Sequence, residues 1–405
     1  MVWLDAGDYF GDSSAAGLKN TQTLTEGMTR IGYAAVNLGE REVNFGLDRL
    51  QQEMKKASFP FVSANMVYQD SGEPFLQPTL ILSVPRSGAG APGAKKGKIR
   101  LGILGLARQN AGFSQKTPEG RRIVTSDPVE AARRAVPALK KKSDLVVALV
   151  TLELEEAKAL SKEVPGIDAL LGGFGAVQTT EEIPAGPNTP PSRIVYAGNQ
   201  GKKLGEIRVF LDPGKPPRLN PILVNLGKNV PDDSAIMDLV TANRLAINEI
   251  NRKEAPLVDV KKMIAMYEGA AYVQSGACKD CHAEEYRIWE ETKHAHAFRI
   301  LEEKHQDYNP ECVGCHTTGF RKPTGYVNAK STPDLMNVQC ESCHGPGKGH
   351  PETVGKGYGA ANLDTCRPCH TPENSPDFDP TAYMIKIRHW KTDPGAGAAA
   401  GGSRR

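Results

Sequence analysis

Cys278-Lys-Asp-Cys281-His282, Cys312-Val-Gly-Cys315-His316, Cys340-Glu-Ser-Cys343-His344 and Cys366-Arg-Pro-Cys369-His370 repeat one five-residue phrase between residues 278 and 370. Cys-x-x-Cys-His is the attachment pattern of c-type haem: two thiols add across the vinyl groups, and the adjacent histidine becomes the proximal iron ligand. The two residues between the cysteines let both sulfurs reach one edge of the ring. Structural zinc in Cys₄ sites has similar spacings but leaves every trailing histidine unexplained. A disulfide framework needs no histidine, and a chain of 405 residues can bury a core without staples. The four phrases use all eight cysteines of the chain. They imply four haem c groups, with Cys278, Cys281, Cys312, Cys315, Cys340, Cys343, Cys366 and Cys369 as attachment points. His282, His316, His344 and His370 are then the proximal ligands.

At this length the chain is expected to form two or three domains. Hydrophobic content of 39% and charged content of 24% are those of a globular protein. The formal charge of +3 does not point to nucleic acid, and haem propionates would erase it. No run of about twenty apolar residues is present, so no membrane span is expected. Met1 leads directly into Val-Trp-Leu-Asp without a basic-then-apolar leader. Haem c is attached after export in bacteria, so the expectation is a periplasmic or extracellular protein whose start lies upstream or was removed.

Residues 1 to 212 read as strands alternating with amphipathic helices, an α/β layer architecture. Strands are expected at Ile31–Asn37, Phe59–Met66, Ile99–Leu106, Leu145–Thr151, Ala169–Gly172, Arg193–Ala197 and Glu206–Leu211. Helices are expected at Phe45–Ala57, at Pro128–Lys142 with Asp127 as cap and a kink or early end at Pro137, and at Leu152–Val164. The Pro/Gly-rich residues 212 to 221 read as a linker, and 87 to 97 as a surface loop. A helix over Asp232–Asn251 serves as connector, so residues 213–265 form linker and connecting helix. Residues 266–392 form a mostly α-helical, haem-packed cytochrome domain, and the Gly/Ala-rich tail 393–405 is expected to be disordered.

"LDAGDYFGDS", "YAAVNLGEREVNFGLDRL", "FPFVSANMVY", "KIRLGILGLA", "SDLVVALVTLE", "GIDALLGGFG" and "YAGNQGKKLGEIRVFLD" resemble, in order, phrases of the bacterial 5′-nucleotidase and UDP-sugar hydrolase family. The resemblance implies a calcineurin-like phosphoesterase sandwich. That family's two-metal cluster clamps a phosphoryl group and generates hydroxide. Here Glu40-Arg41 replace its Asn-His pair, Thr151 replaces a histidine, and Gly173-Phe174-Gly175-Ala176 replace the closing Gly-His-x-His. Asp8 alone stands in place, with Glu40 and Glu42 as the nearby carboxylates, and no histidine precedes His282. The reading is a degenerate domain, not an enzyme, without a dinuclear metal site.

"CKDCHAEEYRIWEETKHAHAF", "NPECVGCHTTGF", "VQCESCHGPGKGH" and "CRPCHTPENSPDFD…IKIRH" resemble the tetrahaem cytochrome c554 family. The resemblance implies an electron carrier with stacked haem pairs and histidine distal ligands. Five histidines lie outside the attachment phrases, all of them in the haem segment. His294, His296, His350 and His389 are the expected distal ligands. His305 is the expected spare, because it falls outside the resembling phrases. A helix over Glu284–Lys304 would place His294 and His296 about 200° apart, one for each of two haems. Tyr286, Trp289, Phe298, Phe320, Phe378, Tyr383 and Trp390 are expected to pack against haem.

The reading is therefore a multidomain electron-transfer protein: a phosphoesterase-like scaffold or docking domain followed by a multihaem cytochrome. Its partners are redox proteins or a terminal acceptor, with self-assembly through exposed haem edges as a further expectation. The alternatives are a redox enzyme acting on a small nitrogen or sulfur compound at a five-coordinate haem, and a haem-linked phosphoesterase. A missing or displaced distal histidine separates the first alternative from a carrier.

Overall fold

The computed structural model describes the whole chain except residues 87–96, 111–112, 185–189, 200, 212–214, 228, 351, 353–358, 360, 373 and 390–405. The expected tail, Trp390 and nearly all of the expected surface loop lie outside the described residues. The chain divides into two compact units, Met1–Val240 and Thr241–Arg405. The first runs past residue 212 because Arg218–Asn225 pairs as an antiparallel strand with Lys203–Phe210, so part of the expected linker is sheet. The unit boundary falls inside the helix Ser234–Glu254, whose first turn is capped by Asp233 accepting from the Ile236 amide at 3.0 Å.

Two sheets lie face to face in the first unit. A six-stranded sheet runs in the order Gln178–Ile183, Ser192–Ala197, Ala169–Gly172, Leu145–Thr151, Lys98–Ala107, Thr79–Pro85. Its four middle strands are parallel and its two edges antiparallel. Leu145–Thr151 is buried along its whole length, as a central parallel strand covered on both faces must be. The smaller sheet pairs Trp3–Asp5, Tyr33–Asn37 and Phe61–Val62, all parallel. Ala35, Val62, Ile103, Val147, Leu149 and Ala169 fill the space between the sheets. Helices Pro128–Lys142 and Leu154–Glu163 cover the outer face of the large sheet, and Ala15–Ile31 and Leu47–Lys56 that of the small one. This is the expected α/β sandwich. Gly105 marks where the sheets approach most closely, since a Cβ there would sit 2.4 Å from the Val62 carbonyl oxygen.

Most expected elements sit within two residues of their observed ends, and Pro128–Lys142 starts on its Asp127 cap and continues through Pro137. The helix Ala15–Ile31 was not expected. Its buried face carries Gly17, Thr21, Thr23, Thr25, Gly27 and Met28, so its period is written in small and hydroxyl side chains. Ser14 caps it, and Gly32 closes it at φ 86°.

The loop after the first strand hangs on one side chain. Glu42, fully buried, accepts the amides of Asp8 (3.0 Å), Tyr9 (2.7 Å), Phe10 (3.3 Å) and Gly39 (2.9 Å). Burial raises its pKa to about 8, with the neighbouring Asp8 charge adding and the amides opposing. Glu42→Gln keeps the shape but turns an NH₂ toward two of those amides. The expected loss is about 3 kcal/mol, read as a lower midpoint for unfolding of the intact protein.

Candidate haem-binding site

Each attachment phrase folds as a single turn. Pro310–His316 and Cys340–His344 are α-helical. The His282 amide donates to the Cys278 carbonyl at 2.9 Å, and that of His370 to the Cys366 carbonyl at 3.0 Å. One turn therefore gathers both sulfurs and the imidazole of each phrase. None of the eight cysteines is in a disulfide. Cys278 and Cys340 lie within hydrogen-bonding reach, as do Cys315 and Cys369, and Cys343 is near Cys366. Burial pushes the Cys312, Cys343 and Cys366 thiols up and Cys369 up to about 12. Bonding to Cys340 lowers Cys278.

Three non-motif histidines each face a motif histidine. The ring centroids of His282 and His350 are 6.3 Å apart with 19° between planes, those of His294 and His370 6.2 Å and 51°, and those of His344 and His389 6.0 Å and 76°. Two imidazoles on opposite sides of one metal would stand about 6 Å apart, from about 2 Å per metal–nitrogen bond plus about 1 Å from each nitrogen to its ring centre. The spacing fits bis-histidine haem.

The second ring nitrogens bear on the same fit. His316 Nδ1 lies 2.5 Å from the Ala297 carbonyl oxygen, His344 Nδ1 2.5 Å from that of Gly359, and His389 Nδ1 2.9 Å from that of Ile387. A carbonyl only accepts, so Nδ1 is the protonated donor and Nε2 keeps the free lone pair that a metal requires. His370 Nδ1 pairs instead with the Ser375 hydroxyl at 3.1 Å. Burial lowers the pKa of His294 and His370, which favours the neutral, ligating form.

The expected continuous helix over Glu284–Lys304 is broken. Ala283–Glu290 ends where the Thr292 hydroxyl bonds back to the Trp289 carbonyl at 2.7 Å. A 3₁₀ turn Lys293–His296 and a short helix Arg299–Glu303 follow. The tighter turn leaves His294 half-buried against His370 and His296 exposed. Among the described residues no motif histidine stands in ring contact with His296. His305, the expected spare, is exposed at φ 54°. Of the aromatic residues expected to pack on haem, Phe298 instead joins the unit's own small core with Leu301, Val313, Tyr326 and Leu335, and Phe320 packs against that core. Trp289 Nε1 donates to the Val338 carbonyl at 2.9 Å.

Two residues that the sequence did not single out tie the phrases together. Glu341, inside the third phrase, accepts from the amides of Val273 (2.9 Å), Gln274 (2.8 Å) and Gly347 (2.7 Å). Gln339 Oε1 takes the Ser275 amide at 2.7 Å. These bonds join the approach to the first phrase with the third, and with the loop that brings His350 opposite His282. Both side chains are buried, and the only sequence signal was the Gln-Cys-Glu run at the start of the third phrase.

In the first unit, Asp8 and Glu40 have hydrogen-bond partners, and Arg108 approaches Phe174. Asp8, at φ 62°, accepts the Arg41 amide at 2.9 Å, and burial raises its pKa. Glu40 lies 3.4 Å from the Asn110 side-chain amide. Arg108 pairs with Glu153 at 3.0 Å and Glu156 at 3.3 Å, and lies 5.7 Å from the Phe174 ring centre. Thr151 is buried and Ala176 exposed. Among the described residues no three His, Cys, Asp or Glu side chains converge as a metal set.

Glu341→Gln is expected to lower the thermal midpoint of the haem-loaded protein by about 5 °C or more and to speed amide exchange in residues 345–350. Glu311→Gln, at an exposed position immediately before the second phrase, is expected to change neither.

Residues 277–345 match the family described as cytochrome c554 and c-prime. Cytochrome c-554 of Nitrosomonas europaea is 36% identical over 86 residues, covering 18% of this chain and 37% of that protein. The 2′,3′-cyclic-nucleotide 2′-phosphodiesterase/3′-nucleotidase of Yersinia enterocolitica is 31% identical over 182 residues, covering 41% of this chain and 26% of that enzyme. The chain thus spans about a quarter to somewhat over a third of the length of these relatives. The 5′-nucleotidase precursor of Thermus thermophilus shares the fold at TM-score 0.51 and 18% identity, covering 83% of this chain and 64% of that one. The expectation that the protein is not an enzyme is corrected here: the named relatives of the N-terminal region are enzymes. The chain therefore joins an N-terminal region similar to 2′,3′-cyclic-nucleotide 2′-phosphodiesterase/3′-nucleotidases and 5′-nucleotidases to a C-terminal region whose residues 277–345 match the cytochrome c554 and c-prime family.

Proposed function

We propose that the C-terminal unit is an electron-transfer module carrying four haem c groups. The observation that carries this is the pairing of three non-motif histidines with three motif histidines at 6.0 to 6.3 Å. When bound, haem c supplies a one-electron iron couple held in a low-dielectric shell. His282 with His350, His294 with His370, and His344 with His389 would each hold one iron from both sides. The Nδ1 contacts of His344, His370 and His389 fix how those rings present Nε2. The thiol juxtapositions, Cys278 with Cys340 and Cys315 with Cys369, support edge-to-edge proximity of the first and third groups and of the second and fourth. His316 is the motif histidine whose distal side lacks a facing histidine among the described residues. A haem held by His316 would then keep one iron position open, in place of the expected ligation by His296, and that is where a small nitrogen or sulfur compound would reach iron on the redox-enzyme alternative. Partners are redox proteins that meet an exposed edge, and the compartment is periplasmic or extracellular, where haem c is matured.

The oxidised, haem-loaded protein should show three low-spin irons and one high-spin iron by electron paramagnetic resonance. His350→Ala, His294→Ala and His389→Ala should each convert one low-spin signal to high-spin, and His296→Ala and His305→Ala none. Four low-spin irons in the wild type, one of them lost in His296→Ala, would return His296 to the ligand set.

A second reading concerns the N-terminal region, and the identity to the Yersinia enterocolitica enzyme favours it. On this reading the intact protein hydrolyses a cyclic nucleotide or nucleoside monophosphate ester when supplied with manganese or zinc. Asp8, the family ligand still in place, would then be required. Turnover should disappear in Asp8→Ala, and absence of turnover with either metal would remove the reading.

A further inference from the structure

The His370 ring is held on more sides than a metal ligand requires. Phe378 stacks on it with centroids 4.5 Å apart and planes 10° from parallel. Tyr383 meets it edge-on at 5.5 Å and meets Phe378 at 5.0 Å. The Ser375 hydroxyl takes Nδ1 at 3.1 Å.

The local backbone fixes these three side chains. Ser375 donates its amide to the Thr371 carbonyl at 2.8 Å, and Phe378 donates to Ser375 at 3.0 Å. The next residue, Asp379, caps the helix Pro380–Ile387 by accepting from the Ala382 amide at 2.7 Å. Phe378 and Tyr383 are thus set by one tight turn and the first turns of a capped helix. Lys386 Nζ lies 4.8 Å from the Tyr383 ring centre and adds a cation–π contact on that side.

We propose that Phe378, with Ser375 and Tyr383, is a rotational clamp on His370. An imidazole bound through Nε2 is otherwise free to turn about the metal–nitrogen axis. Here a turn drives its edge into the stacked phenyl face and breaks the Nδ1 bond. The clamp therefore sets the 51° between the His370 and His294 planes, midway between the nearly parallel pair His282/His350 and the nearly perpendicular pair His344/His389. The angle between two axial imidazole planes governs how the iron's two π-type d orbitals split. The clamp residues are thus positioning residues for the electronic state of one site among three.

This inference rests on the assignment of His294 and His370 to one iron, and the experiment separates the two. The oxidised, haem-loaded full chain is compared by electron paramagnetic resonance as wild type, His294→Ala, Phe378→Leu, Phe378→Tyr and Ser375→Ala, with haem content measured in each. His294→Ala identifies the signal of this pair by converting it to high-spin. Phe378→Leu keeps the apolar volume but removes the flat face. It is expected to shift or broaden the largest g value of that one signal and to leave the other two low-spin signals in place. Phe378→Tyr should restore the native position, and Ser375→Ala should give a smaller shift of the same signal. An unchanged signal in Phe378→Leu overturns the clamp, as does an equal change in all three. Loss of the fourth haem in Phe378→Leu but not in Phe378→Tyr also overturns it, because Phe378 would then serve attachment instead of orientation. If His294→Ala converts no low-spin signal, the pairing itself is wrong.

Discussion

A buried backbone amide must find an acceptor, and in both units one buried glutamate meets that demand for several amides at once. Glu341 gathers amides from the adjacent Val273 and Gln274 and from Gly347, so two well-separated stretches of chain meet at one carboxylate. Each bond is modest by itself, but leaving such a donor unpaired costs about 1–3 kcal/mol. A carboxylate with four lone-pair sites is suited to the task, and an amide or a hydroxyl is not. This tie, with the Lys348 amide donating to the Ala271 carbonyl at 3.1 Å, holds the loop carrying His350 against the approach to the first phrase. Glu42 does the same for the loop after the first strand of the N-terminal unit.

That dependence follows from how little apolar core the C-terminal unit has. Its buried cluster is Phe298, Leu301, Val313, Tyr326 and Leu335, while the first unit has three larger clusters. A peptide of this size buries little apolar core of its own and relies on specific polar bonds for its geometry. The histidines fit the same account. The Nδ1 atoms of His316, His344 and His389 lie on carbonyls and that of His370 on a hydroxyl, so the protein itself orients these four rings.

The two units differ in how legible they were. Long apolar runs announced the central strands, and Leu145–Thr151 and Ala169–Gly172 fall where their composition places them. The helix Ala15–Ile31 was illegible because threonines and glycines, not aliphatic side chains, line its buried face. In the haem segment, apolar positions over Glu284–Lys304 suggested one helix. The Thr292 hydroxyl and a 3₁₀ turn split it, and a rotation of a few tens of degrees decided which histidine faces inward. Likewise the residue differences around Asp8 suggested a region without activity, but the named relatives of that region are enzymes.

By itself the sequence determined where the haem-attachment pattern lies, because Cys-x-x-Cys-His is local and its atoms meet within one helical turn. It also determined the sandwich, because strand burial is written in composition. Only the tertiary structure decided which distal histidine faces which motif, since those partners are separated by loops whose closure depends on Glu341, Gln339 and the turn after Thr371. The physical reason is one of range. Local bonds are specified by neighbouring residues, while two imidazoles placed about 6 Å apart across a metal require distant segments to be held in register by bonds no short pattern encodes.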